Sequence, residues 1–125
     1  MKIPQDLLYT KDHEWARVND DTVTIGISDY AQSELGDVVF VELPEPGDAT
    51  EQFQPCASIE AVKAVSDLYA SVTGEITDIN TALEDDPQII NQDCYGDGWI
   101  LKIKMNDKKE LEELMSPEEY KGHIG

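Results

Sequence analysis

A chain of 125 residues, 40% of them hydrophobic, has apolar material for one small core, and no apolar run approaches the length that spans a bilayer. Its 27 acidic residues against nine basic ones leave a formal net charge of −18. That charge repels phosphate and excludes nucleic acid as a routine partner, so partners are expected to be proteins with basic or neutral docking faces.

The opening residues, Met1-Lys2-Ile3-Pro4-Gln5-Asp6, carry neither a long apolar stretch nor an Arg/Ser-rich pattern. They predict a cytoplasmic protein, or a mature form whose presequence is missing. Next, Val23, Ile25 and Ile27 alternate with Thr22, Thr24 and Gly26, the period of a strand with one apolar face. Ser28 caps a predicted helix from Asp29 to Leu35, with Gly36 as its stop. Val38 to Leu43 reads as a strand closed by the turn residues Pro44-Glu45-Pro46-Gly47. Cys56 to Glu60 and Val65 to Ala70 flank a short connection and predict a hairpin, and Gly74 precedes a further strand, Glu75 to Ile79.

Glu84-Asp85-Asp86 reads as a solvated turn before Pro87, since a calcium loop needs alternating ligands around a glycine. Gly96-Asp97-Gly98 lacks a third glycine and opens a strand, so it is a turn and not a phosphate loop. Trp99 to Met105 is the clearest strand, with Trp99, Leu101, Ile103 and Met105 facing one way. Asp107 opens a predicted helix over Lys108 to Met115, and Ser116-Pro117-Glu118-Glu119 restarts a helical turn as a capping box. Short strands separated by turns, with helices at the periphery, predict a mainly β protein, a small sandwich or barrel. Cys56 and Cys94 stand 38 positions apart and read as small buried hydrophobes in a reducing compartment. With His13 and His123 they lack the local pairing of a metal site, so no metal is expected. No nucleophile–base pair is apparent either, which predicts a protein without catalysis of its own.

The basic residues are distributed unevenly. Between Arg17 and Lys102 lie 84 residues with 18 acids and a single cation, Lys63. It falls in the presumed hairpin connection, Glu60-Ala61-Val62-Lys63-Ala64-Val65, among small apolar neighbours where Gly, Asn or Asp would be usual. A lysine in an arbitrary turn is most often a solubilising charge. A primary amine at the apex of a rigid hairpin is also what an acylating enzyme can reach.

The segment Ser58-Ile59-Glu60-Ala61-Val62-Lys63-Ala64-Val65-Ser66-Asp67 resembles the lipoylation motif of the glycine cleavage H proteins. The following Leu68-Tyr69-Ala70-Ser71-Val72-Thr73-Gly74-Glu75 is similar to that family's hairpin return. So are His13-Glu14-Trp15, Ile25-Gly26-Ile27-Ser28-Asp29-Tyr30-Ala31, Leu35 to Pro44 and Tyr95-Gly96-Asp97-Gly98-Trp99, in order over roughly residues 8 to 120. Three positions depart from the pattern: Ser71 and Cys94 stand where Pro is frequent, and Asp12 is more acidic than the family's small polar residue. Ser71 predicts a less stiff return strand.

The resemblance implies a flattened β-sandwich/barrel hybrid of the lipoyl and biotinyl carrier type, with short peripheral helices and a C-terminal helix. It implies one carrier domain over residues 1–125, its core at about 8–105 and a C-terminal helical segment at 107–122. It further implies lipoate in amide linkage to Lys63, on an arm of roughly 14 Å by covalent lengths. That arm would carry an aminomethyl unit from glycine decarboxylase, a pyridoxal phosphate enzyme, to aminomethyltransferase. Dihydrolipoamide dehydrogenase would reoxidise the dithiol, and a lipoyl-attaching enzyme would install the group. The arm can lie back on the protein in that family, and Glu14 and Asp67, with Asp12 as a third, are candidates to receive the ammonium of its cargo. Biotin carriers place Met on both sides of the lysine and 2-oxoacid dehydrogenase domains place Asp before it; Val62 and Ala64 match neither. Two alternatives stay open: a lipoate-relay carrier serving other lipoyl enzymes, and a non-covalent acidic interaction domain.

Overall fold

A computed structural model describes residues 2–125. In chain order the elements are β1 (Leu8–Tyr9), β2 (Glu14–Asn19), β3 (Thr22–Ile27), α1 (Asp29–Leu35), β4 (Val38–Glu42), β5 (Ala49–Thr50), β6 (Pro55–Ala61) and β7 (Val65–Tyr69). Then come β8 (Gly74–Ile79), α2 (Ala82–Asp85), α3 (Ile89–Gln92), β9 (Leu101–Met105), a 3₁₀ turn at Lys108–Glu113 and α4 (Pro117–Ile124). Among the described residues no helix is long and apolar enough to cross a membrane.

Two open antiparallel sheets form a flattened sandwich. One has six strands in the order β1-β2-β3-β9-β8-β5, the other three in the order β4-β6-β7. Alternation explains the inner faces: Val23 and Ile25 of β3 and Leu101 and Ile103 of β9 meet Val41, Ile59 and Leu68 of the smaller sheet in one buried cluster. A second cluster lies on the opposite face of the large sheet, where Tyr9, Trp15, Tyr95 and Tyr120 pack together under the N-terminal segment and α4. Tyr9 and Tyr120 stack with ring centroids 4.5 Å apart.

The predicted helix caps are present. Ser28 Oγ accepts the Ala31 N–H, and Gly36 ends α1 with φ +78°. Ser116 and Glu119 close a reciprocal capping box around Pro117 at the start of α4. Beyond Asp107 the structure differs from the expected α-helix. The chain makes one 3₁₀ stretch because Glu110 is pinned to Thr73, accepting its N–H at 2.7 Å and its hydroxyl at 2.8 Å. Met115 then leaves the helical path to exchange backbone hydrogen bonds with Tyr9. Glu84 and Asp85 lie within α2, so that acidic run is a helical turn with exposed carboxylates.

Ser71 lies beyond the return strand, in the link between β7 and β8, and is fully buried. Its carbonyl accepts from Gln52, but its Oγ has no hydrogen-bond partner among the described residues. A buried hydroxyl without a partner costs on the order of 1 kcal/mol or more. Ser71→Ala is therefore expected to raise the free energy of urea unfolding by about 1 kcal/mol; a loss of stability would reveal a partner for the hydroxyl.

Candidate functional site

The hairpin β6–β7 pairs Glu60 with Val65, and the Ala61 N–H continues the ladder to the Ala64 carbonyl, leaving Val62 and Lys63 at the apex. Neither apex residue has positive φ, so the turn needs no glycine or asparagine. A bond from the side fixes the tip instead: the Val62 N–H donates to the Asp37 carbonyl at 3.0 Å. Lys63 is exposed, with Val62 at 72% and Val65 at 70% exposure beside it, whereas Leu68 of the same hairpin is buried in the core. The methylenes of Lys63 lie along Gly36, where a β-carbon would be only 3.4 Å from Lys63 Cε. The lysine thus leaves the body at the C-terminal end of α1.

A cleft of about 290 Å³ runs from that point between α1 and the edge of β7. Ile27, Ala31, Leu35 and Ile59 give it apolar walls, and Asp12, Glu14, Glu34 and Asp67 supply carboxylates. The structure thus brings Asp12, Glu14 and Asp67 to one hollow, but in different environments. Asp12 and Asp67 are exposed, and Asp67 shares the outer row of the small sheet with Ser58 and Glu42. Glu14 is 1% exposed. It bridges the two sheets: one carboxylate oxygen accepts the Thr10 hydroxyl, and the other accepts the Tyr69 N–H at 3.1 Å, near the bulge that interrupts the β6–β7 ladder.

Burial pushes the Glu14 carboxyl up to about 7, against the pull of the Thr10 and Tyr69 donors and with a small push from the Asp12 charge. Being raised on folding, this group favours the folded chain most below about pH 4.5, and that contribution is lost as pH climbs through about 7. Glu14→Gln keeps the shape without the titration. Its stability relative to wild type is expected to improve by on the order of 3 kcal/mol between those two pH values, read from urea unfolding across pH. A difference that is flat with pH would overturn this prediction.

Asp12 and His13 sit in the four-residue loop that joins β1 to β2, closed by hydrogen bonds between Thr10 and Glu14. His13 occupies its left-handed position, φ +72°. The ring of Tyr30 lies 4.8 Å from the His13 ring, and those of Tyr120 and His123 of α4 lie 5.8 Å and 5.5 Å from it. Sequence reasoning missed Tyr30, Glu34, Leu35 and Tyr120 as cleft or cleft-supporting residues. The spacing of Tyr30, Glu34 and Leu35 along one helical face was the available signal; nothing local marks Tyr120. Cys56 and Cys94 are free thiols, each pushed up to about 12 chiefly by burial, which leaves them protonated and inert at neutral pH.

Comparison with known proteins follows the same lines. The family model described as Glycine cleavage H-protein matches residues 7–124. The glycine cleavage system H protein of Rubrobacter xylanophilus is 55% identical over 119 residues, covering 95% of this chain and 92% of the relative. That of Halothermothrix orenii is 52% identical over 124 residues, covering 99% and 97%. The crystal structure of a glycine cleavage system H protein from Mycobacterium marinum superimposes with a TM-score of 0.88 at 39% identity, over 98% of this chain and 99% of that one. Matching in length, fold and sequence, the chain belongs to the glycine cleavage H-protein family, the lipoate-carrying component of the glycine cleavage system.

Proposed function

We propose that Lys63 is the lipoyl attachment site and that the cleft at its foot receives the arm when it carries its amine-bearing cargo. One observation supports the reading above others: the exposed Lys63 side chain lies along Gly36, next in the chain to Leu35 of a cleft that combines apolar walls with four carboxylates. When bound, the lipoyl group supplies disulfide–dithiol chemistry, which moves an aminomethyl unit from glycine decarboxylase to aminomethyltransferase and returns the dithiol to dihydrolipoamide dehydrogenase.

The chain's own residues hold and shelter. From Gly36 back to Tyr30 the wall formed by α1 is roughly 9 Å long at 1.5 Å per residue, within the roughly 14 Å that a lipoyl-lysine side chain spans. Ile27, Ala31, Leu35 and Ile59 cover the apolar length of such an arm and exclude water from it. Glu14 and Asp67, with Asp12 at the edge, face the end where an ammonium would lie. An arriving cation favours the ionised form of Glu14 and gains a charge-assisted hydrogen bond from it. The carrier is one unit over residues 1–125 in a cytoplasmic setting, meeting a lipoyl-attaching enzyme and the three enzymes above through protein–protein contacts.

The test is ammonia release from isolated, cargo-loaded protein without the transferase. Replacing both acceptors, with Glu14→Gln and Asp67→Asn, is expected to speed release about tenfold, the factor that ~1.4 kcal/mol of lost charge-assisted hydrogen bonding represents. Decay as slow as in wild type would mean that the arm is sheltered elsewhere or not at all.

A further inference from the structure

His13 is the one group beside the cleft whose protonation would place a cation in its wall, and the residues behind it decide its state. Ser28 Oγ accepts the Ala31 N–H at 3.2 Å and lies 2.6 Å from the Tyr120 hydroxyl. The same hydroxyl lies 3.0 Å from His13 Nδ1. Ser28 is fully buried, and these are its side chain's only hydrogen-bond neighbours among the described residues. Were Nδ1 to donate to Tyr120, the tyrosine would donate to Ser28, and the serine proton would be buried with no acceptor. The opposite polarity uses every proton: Ser28 donates to Tyr120, and Tyr120 donates to the Nδ1 lone pair. An imidazolium has no such lone pair.

We propose that Ser28 and Tyr120 hold His13 as the neutral Nε2–H imidazole, so that the cleft wall carries no cation where the loaded arm brings its ammonium. The inference rests on the function proposed above and extends it to a positioning pair that touches no cargo itself. The backbone bears out how firmly the ring is placed. His13 holds a left-handed conformation, where glycine would be unstrained. Its loop is tied to α4 a second time by His123 Nε2, which donates to the Lys11 carbonyl at 2.9 Å.

The charged and titratable groups around His13 come from four directions. Asp12 and Glu14 flank it in the chain, Tyr30 and Glu34 face it from α1, Tyr120 and His123 from α4, and Asp67 from across the cleft. Burial, then the neighbouring His123, holds the imidazole below its usual range; Asp12 and Glu34 pull the other way without prevailing.

The first measurement uses unmodified wild-type protein and needs no variant. Long-range ¹H–¹⁵N spectra should show His13 Nδ1 unprotonated and Nε2 protonated; a protonated Nδ1 overturns the proposal. In Tyr120→Phe the imidazole should titrate at higher pH. Ammonia release from loaded Tyr120→Phe should match wild type at about pH 8, where the ring is neutral in both, and run about fivefold faster at about pH 6. Adding His13→Gln, which cannot charge, should abolish the acceleration, an outcome that a merely loosened structure would not give. If Tyr120→Phe decays like wild type at both pH values while Glu14→Gln with Asp67→Asn still accelerates release, this proposal falls alone. If neither accelerates release, it falls together with the sheltering role of the cleft.

Discussion

Lys63→Arg is expected to fold as wild type does and to accept no lipoyl group, with complete loss of glycine cleavage in a reconstituted system. Stability is spared because the side chain is exposed and its apex is held by backbone bonds, from Ala61 to Ala64 and from Val62 to Asp37, that the substitution leaves intact. Surface changes of this kind stay within about 0.5 kcal/mol. Acceptance fails because a guanidinium is not a nucleophilic amine and forms no amide under these conditions. Neither lysine of β9 stands at a hairpin apex. Lys102 and Lys104 lie on β9 between β3 and β8, and the Lys102 ammonium sits 5.1 Å from the Trp99 ring centroid. Intact mass and peptide mapping after treatment with a lipoate ligase check this; a lipoyl group on Lys102 or Lys104, or on the Lys63→Arg protein anywhere, overturns it.

Gly26→Ala should cost about 3 kcal/mol of stability, the upper range for overpacking a core. Gly26 of β3 lies directly across from Trp15 of β2. A β-carbon there would stand 2.6 Å from Cε2 and Cζ2 of the indole and 2.7 Å from its Nε1. The ring has nowhere to retreat. It is fully buried, its N–H donates to the Cys94 carbonyl at 2.8 Å, Tyr95 packs nearby, and the Arg17 guanidinium lies 4.9 Å from its centroid. Trp15 directly follows Glu14, so displacement of the indole also disturbs the floor of the cleft. Urea unfolding measures the loss, and a cost below about 1 kcal/mol would show that the indole has room to move.

Elements with one buried face were legible in the sequence. The β3 and β9 periods, the α1 caps, the α4 capping box and the β6–β7 hairpin all follow from alternation or from cap chemistry acting over a few residues. Strand β2 escaped because Glu14, Trp15 and Ala16 are all buried, Trp15 in the aromatic cluster and Ala16 in the main core. A strand covered on both faces shows no alternation. Strand β1, α2 and α3 are too short to carry a period. The 3₁₀ stretch was misread as α-helix because Leu111 and Leu114 suit either winding, and the Glu110–Thr73 contact that decides between them spans 37 residues. Lys63 could be singled out because local flanks and charge isolation mark it. The cleft could not, because residues distant in sequence assemble it.

That assembly gives the protein's synthesis an order. The hairpin that presents Lys63 pairs residues 55 to 69 with one another, and its side support comes from Asp37, already made by then. The loop carrying His13 is made earlier still, yet it is held by Tyr120 and His123 of α4, encoded more than 100 residues later. On the function proposed above, the residues that accept the arm are therefore made before the last supports of its shelter. On that reading, acquiring the arm and protecting its cargo are separable events in the life of the chain, and a polypeptide stopped short of α4 would present Lys63 beside a cleft whose His13 loop lacks its supports.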